Sequence, residues 1–176
     1  YIAWDDMKAS GVDFAIIRVG YRGYTSGNLA EDETYKENIQ RALNAGVKVG
    51  VYIFSQAITE AEAAEEANFV LNRIRSYNIT LPVAIDYEYV SGTNTRGRLY
   101  NAGLSAGTAT AVVNKFCQTV ASAGYTPMVY ANKNMLQSNL NASSITDKYD
   151  VWLANYTSQT TYGGDYTFWQ YSSSGK

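Results

Sequence analysis

The chain has 176 residues, 46% of them hydrophobic, with 14 Lys and Arg against 16 Asp and Glu. That length and balance suit one domain over residues 1–176 with a substantial core. A net charge of −2 leaves no footprint for nucleic acid, and no apolar run approaches the length of a membrane span. Histidine is absent and Cys117 is the single cysteine. This removes Ser-His and Cys-His nucleophile pairs, His-ligated zinc, thiolate metal clusters and any intrachain disulfide. Cys117 lies in a helical apolar pattern with Val113, Phe116 and Val120 and reads as a small buried side chain. Acid–base chemistry must come from carboxylates, Tyr, Lys or water, and no cofactor or metal is implied. The 16 tyrosines and three tryptophans offer flat apolar faces with polar tips, a surface that suits sugar rings.

In chain order, the apolar run 14–19 predicts a strand. Residues 33–45 read as a helix stopped by Gly46. Residues 47–54 (VKVGVYIF) read as a strand. A strong helix spans 59–77, with Thr59 as cap and Glu62 closing a capping box. The run VAIDY (83–87) after Pro82 is a strand, followed by a loop over 91–97. A helix over 105–123 stops at Gly124. Strand 128–130, a short helix over 134–140, and strands 151–154 and 168–171 complete the chain, with no room for a full helix between the last two. Strands alternating with helices at this spacing, apolar on both faces, predict a parallel α/β sheet, either a barrel or an open doubly wound sheet. No Gly-rich phosphate loop follows any strand.

The active site of an α/β barrel lies at the C-terminal ends of its strands. Those ends carry Arg18, Gly20 and Tyr21; Ser55 and Gln56; Asp86, Tyr87, Glu88 and Tyr89; Tyr130 and Asn132; Asn155 and Tyr156; Gln170 and Tyr171. The sharpest feature is Asp86-Tyr87-Glu88. Residues two apart on a strand share a face, their Cα atoms about 6–7 Å apart. Two carboxylates so close repel, one pKa rises, and one group keeps a proton near neutral pH. An acid beside a charge stabiliser is what glycosidic cleavage requires. Other acids read more plainly. Glu60, Glu62, Glu65 and Glu66 line a helix and are expected in solvent. Asp5, Asp6, Glu31 and Glu33 sit near helix starts. Asp32 and Asn38 are candidates to reach a pocket, which their spacing does not show.

The stretches GVDFAIIRVGYRG (11–23), EDETYKENIQRALNAGVKVGVYIFSQA (31–57), LPVAIDYEY (81–89), GYTPMVYAN (124–132), YDVWLANY (149–156) and FWQYSSSG (168–175) carry a resemblance. They occur in the order found in the Chalaropsis-type lysozymes of glycoside hydrolase family 25, which the chain resembles over nearly its whole length. The resemblance implies a flattened, TIM-like (β/α) barrel with fewer helices than strands. It implies hydrolysis, with retention, of the β-1,4 bond between N-acetylmuramic acid and N-acetylglucosamine in peptidoglycan. Glu88 would be the general acid and then base, and Asp86 would assist the substrate's 2-acetamido group. Tyr52, Tyr130, Trp152, Tyr156 and Trp169 would line the groove, with Asp32 near the sugar site. A peptidoglycan glycan strand is then the expected partner, met outside the cytoplasm by a secreted or phage-released monomer, with no role for nucleic acid or membrane.

The sequence departs from the family in three places. The family's first strand, with its Asp, is expected to be missing ahead of YIAWDDMKASG, and its last strand, also bearing an Asp, is expected to be missing after SSSGK. The barrel would be incomplete at both termini. Ile53 stands where the family often has His. Two other readings fit the residues less well. Family 18 chitinases also use Asp-x-Glu, but their further upstream acids would fall where Leu81 and Ala84 stand. A carbohydrate-binding relic would keep the groove without turnover.

Overall fold

The computed structural model describes residues 2–90 and 96–174. Helix α1 (Trp4–Ala9) precedes strand β1 (Phe14–Arg22), a three-residue strand β2 (Leu29–Glu31) and helix α2 (Tyr35–Asn44). Strand β3 (Lys48–Ser55), helix α3 (Glu60–Ile74) and strand β4 (Val83–Tyr87) follow. Then come helices α4 (Gly97–Asn101) and α5 (Ala106–Ser122), strand β5 (Pro127–Asn132), helices α6 (Lys133–Ser138) and α7 (Ala142–Thr146), and strands β6 (Asp150–Ala154) and β7 (Phe168–Gln170). All seven strands form one sheet in the order β2-β1-β3-β4-β5-β6-β7, parallel except for the β1–β2 hairpin. Among the described residues β2 and β7 do not pair, so the sheet is not closed by hydrogen bonds. It is nevertheless curled. Phe14 of β1 stacks on Phe168 of β7 with ring centroids 5.2 Å apart, although three strands separate β1 from β6 and β7 lies beyond.

The expected strands and long helices are present. The elements β2, α4 and α7 were not foreseen. Of the loop expected over 91–97, residues 91–95 lie outside the described residues, and Gly97 opens α4. No helix stands between β6 and β7, as the spacing predicted. Thr59 caps α3 by accepting from Glu62 N at 3.2 Å. Glu62 does not close the box on Thr59; its Oε2 accepts from Ile58 N, one residue earlier, at 2.8 Å. Gly46 and Gly124 end α2 and α5 with φ of +77° and +85°, a region that other residues rarely adopt. Helices α3 and α5 cover the middle of the sheet, α3 over β1 and β3 and α5 over β4 and β5. Cys117, Phe116 and Val120 of α5 are fully buried there, and burial pushes the Cys117 thiol up.

Strand β1 carries a bulge. Arg18 pairs with Tyr52 and Gly20 with Ile53, so Val19 is the extra residue. Its carbonyl is taken by Asp32 N at 2.9 Å. The bulge puts Arg18 and Tyr21 on one face and Val19, Gly20 and Arg22 on the other. Gly20 is required by close approach, since a Cβ there would stand 2.4 Å from Ala30 O and 2.7 Å from a Phe69 ring carbon.

The expectation that the α3 carboxylates are solvated fails for Glu66, which is fully buried. The cause is Arg22, delivered to the helix side by the bulge. Its Nε donates to Glu66 Oε1 at 2.7 Å, Nη2 to Glu65 Oε2 at 2.7 Å and Glu62 O at 3.1 Å, and Nη1 to Gly27 O at 2.7 Å. Glu62 is half-buried, held by both terminal nitrogens of Arg98. Burial lifts the Glu66 carboxyl from its ordinary 4.5 to about 7, with Ser55 and Arg22 pulling against it. A carboxyl raised in the folded state contributes stability that is full below pH 4.5 and is lost as pH rises through 7. Glu66→Gln lacks that term. Between pH 5 and pH 8, the melting temperature of the parent is therefore expected to fall relative to the variant's. Parallel melting curves that keep a constant gap across that range would exclude this.

Candidate active site

Alternation along the strands sends Val51 and Ile53, Ile85 and Tyr87, Val129 and Ala131, and Val151 and Leu153 toward the helices, where all are buried. The opposite face is the concave one. A single row crosses it through cross-strand pairing: Tyr21, Phe54, Asp86, Tyr130 and Trp152 on β1, β3, β4, β5 and β6. Glu88 follows β4 just beyond the row. A cavity of about 170 Å³ opens here, lined by Tyr52, Asp86, Glu88, Tyr130, Trp152 and Gln170. Its aromatic walls brace one another: Trp152 meets Tyr130 edge-on at 4.7 Å and Tyr52 at 6.2 Å. Tyr130 Oη donates to Gln170 Oε1 at 2.8 Å.

The two carboxyls differ in surroundings. Asp86 is 7% exposed, and its Oδ1 has no hydrogen-bond partner among the described residues. Burial, and then the charge of Glu88, push Asp86 well above the usual carboxylate range, while the Arg18 guanidinium pulls it back. Burial raises Glu88 too, opposed by a hydrogen bond with the Asn132 side chain. Asn132 is fixed for that contact. Its Oδ1 caps α6 by accepting from Met135 N at 2.9 Å, which leaves its amide nitrogen for Glu88. Behind the pair, the buried Gln56 donates from Nε2 to Glu88 O at 3.0 Å and accepts at Oε1 from Leu99 N at 3.3 Å. Burial and the neighbouring Asp86 hold the Tyr52 phenol above its ordinary value, so it stays a neutral donor.

Of the residues singled out from sequence, Asp86, Glu88, Tyr52, Tyr130 and Trp152 meet in this cavity. Asp32 stands to one side. Its Oδ2 takes Arg18 Nε and Nη2, each at 2.8 Å, and its Oδ1 takes Thr34 N and Oγ1. Burial works to raise it, but the bonds from Thr34 and Arg18 prevail and hold it below the usual range. Tyr156 is exposed at the rim, within hydrogen-bond reach of Tyr130. Trp169 is not brought into the cavity. It pairs with the core residue Leu153, lies on the helix side, and donates from Nε1 to Asn155 O at 2.9 Å. Its neighbour Gln170 takes the cavity position instead. Asn38 does not reach the pocket either, as its Oδ1 accepts from Trp4 Nε1 between α1 and α2. Arg18, Asn132 and Gln170 are the additional residues, and their only sequence signal was position at a strand end. Among the described residues no group of three Asp, Glu or Cys side chains is arranged to hold a metal ion.

The family described as glycosyl hydrolases family 25 matches residues 1–176. The autolytic lysozyme of Clostridium acetobutylicum is 29% identical over 175 residues, covering 99% of this chain and 48% of that protein. The modular autolysin LytC of Streptococcus pneumoniae superposes with a TM-score of 0.77 at 27% identity, over 97% of this chain and 39% of that one. LytC has also been solved with a synthetic peptidoglycan ligand, where the TM-score is 0.75. A muramidase from Acremonium alcalophilum gives a TM-score of 0.76 at 25% identity, over 97% of this chain and 81% of that one. The chain spans about half the length of the curated relatives it matches. With a match from its first residue to its last, the chain belongs to glycosyl hydrolases family 25.

Proposed function

We propose that this chain is a muramidase that hydrolyses the β-1,4 bond between N-acetylmuramic acid and N-acetylglucosamine in peptidoglycan, with retention, working as a monomer at the cell wall outside the cytoplasm. The observation that carries this reading is the buried Asp86 carboxyl, unpartnered at Oδ1 among the described residues and sharing an aromatic-walled cavity with Glu88. A buried polar group without a partner is costly, and a ligand group that hydrogen-bonds to it relieves the cost. The substrate's acetamido N–H is such a group.

In this reading Glu88 donates its proton to the glycosidic oxygen as the C–O bond breaks. The acetamido carbonyl oxygen attacks the anomeric carbon from the other side, and Asp86 accepts from the acetamido N–H and balances the positive charge that develops there. Water then opens the cyclic intermediate, its proton passing to Glu88, and the two inversions give net retention. The proton held by the pair must sit on Glu88 at the outset. Burial of Asp86 works against this, and Arg18 favours it, because its charge stabilises ionised Asp86. Asn132 works the other way, favouring ionised Glu88. Asn132→Ser, which keeps an N-cap for α6 and removes the amide donor, is therefore expected to move the basic limb of the kcat/KM profile to higher pH. A basic limb that stays in place would remove Asn132 from the acid's environment.

The direct test is clearing of a peptidoglycan suspension with analysis of the new reducing ends. Muramic-acid ends support the reading. Glucosamine ends, or binding of the wall by the folded chain with no release, would sink it.

A further inference from the structure

A second, larger cavity of about 650 Å³ adjoins the first, with Arg18, Tyr21, Tyr24, Thr25 and Phe54 among its lining residues. It continues the catalytic groove: Tyr21, Phe54 and Asp86 are consecutive members of one cross-strand row. Its walls are set in advance. Arg22 ties the base of the hairpin to α3 through Glu65 and Glu66, and Tyr24 O accepts from Arg98 N at 2.8 Å. The residues Tyr21 and Tyr24 are 38% and 40% exposed.

The chemistry of this pocket differs from that of the smaller cavity. A sugar needs hydrogen-bonding groups around its perimeter, and the smaller cavity offers Asp86, Glu88, Gln170 and two phenols. In the larger one Arg22 is consumed by its own partners, and Ser26 Oγ already accepts from Asn28 N. What remains is mostly aromatic wall, with the Thr25 hydroxyl and the Tyr21 and Tyr24 phenols as its neutral polar groups and one cation at the inner edge. Arg18 uses Nε and Nη2 on Asp32 and its guanidinium lies 5.9 Å from the Tyr21 ring, while its Nη1 has no hydrogen-bond partner among the described residues. Aromatic walls with a single guanidinium suit a short chain of amides and small alkyl side chains that carries a free carboxylate. In peptidoglycan, the acidic peptide amide-linked to the lactyl group of muramic acid has that chemistry, and it leaves the sugar close to the reacting bond.

We propose that the pocket bounded by Tyr21, Tyr24, Phe54 and Arg18 binds this acidic stem peptide, so that the enzyme reads the peptide as well as the glycan. This rests on the muramidase reading above.

The test compares the parent with Tyr24→Ala and Tyr24→Phe on two soluble substrates, glycan fragments carrying peptides and the same fragments stripped by an amidase. Tyr24→Ala is expected to lose about tenfold in kcat/KM on the peptide-bearing fragments and to match the parent on the stripped ones, with Tyr24→Phe near the parent on both. Equal losses on both substrates, or no loss on either, would overturn the proposal. A second readout stands apart from turnover: titration of the free acidic pentapeptide, followed by NMR, on parent and Tyr24→Ala. Saturable shifts that vanish in the variant support the pocket; no shifts in the parent overturn it. If the parent cleaves neither substrate, the muramidase reading fails, while the titration still decides the pocket.

Discussion

Glu88→Gln is expected to lower the release of muramic-acid reducing ends by about 10²- to 10⁴-fold, the range typical for loss of a positioned general acid. The amide fills the same space and can still meet Asn132, but it has no proton to give the leaving oxygen. The fold should not change, because Glu88 is held through its backbone carbonyl by Gln56 and through its side chain by a surface-side amide. Unchanged melting with lost turnover is therefore the expected pairing. A leaving group that departs without protonation, such as a nitrophenyl aglycone, should show a much smaller defect in bond cleavage. Near-parental turnover on the natural glycan would take the acid's role away from Glu88.

Arg22→Met is expected to destabilise the chain by about 3–5 kcal/mol at pH 8, as removal of one partner from a buried ion pair does. The side chain is 4% exposed and satisfies four acceptors on two segments: Gly27 in the hairpin, and Glu62, Glu65 and Glu66 on α3. Methionine leaves Glu66 charged and alone behind the sheet. Glu66 already titrates near 7, so at pH 5 it can take a proton and the penalty shrinks. The double variant Arg22→Met/Glu66→Gln should recover part of the loss at pH 8. Urea unfolding at both pH values measures this. A cost below about 1 kcal/mol at pH 8 would mark the pair as a solvated one.

Apolar runs of three to eight residues made the five long parallel strands and the crossover helices legible, because Val, Ile and Tyr set between helical patterns admit few other readings. The elements β2, α4 and α7 are three to five residues long. The strand β2 is only the short return of the hairpin from β1, and α4 is held by a partner distant in sequence, as Arg98 reaches Glu62, so local pattern carries little of their cause. Glu66 was misread because a glutamate in an amphipathic helix normally faces water, and its partner lies 44 residues upstream on another element. The site's central pair was legible because Asp-x-Glu after VAI fixes type, spacing and face together. In FWQY two neighbours compete for one inward position, and only the pairing of Trp169 with Leu153 decides in favour of Gln170. Asn132 depends on two bonds, one to Met135 and one to Glu88, that no spacing announces.

The extra residue at Val19 makes one strand serve two unrelated tasks. Before it, β1 addresses the groove with Arg18. After it, the phase has slipped by one, so Tyr21 still faces the groove while Arg22 turns to the helices. Without the slip a strict alternation would carry Arg22 forward and Tyr21 back. Insertions and deletions here act as a change of reading frame for side chains, not a change of loop length. Anyone grafting this hairpin onto a related barrel must carry the Val19–Gly20 step intact, since it keeps the groove wall and the buried ion pair in phase.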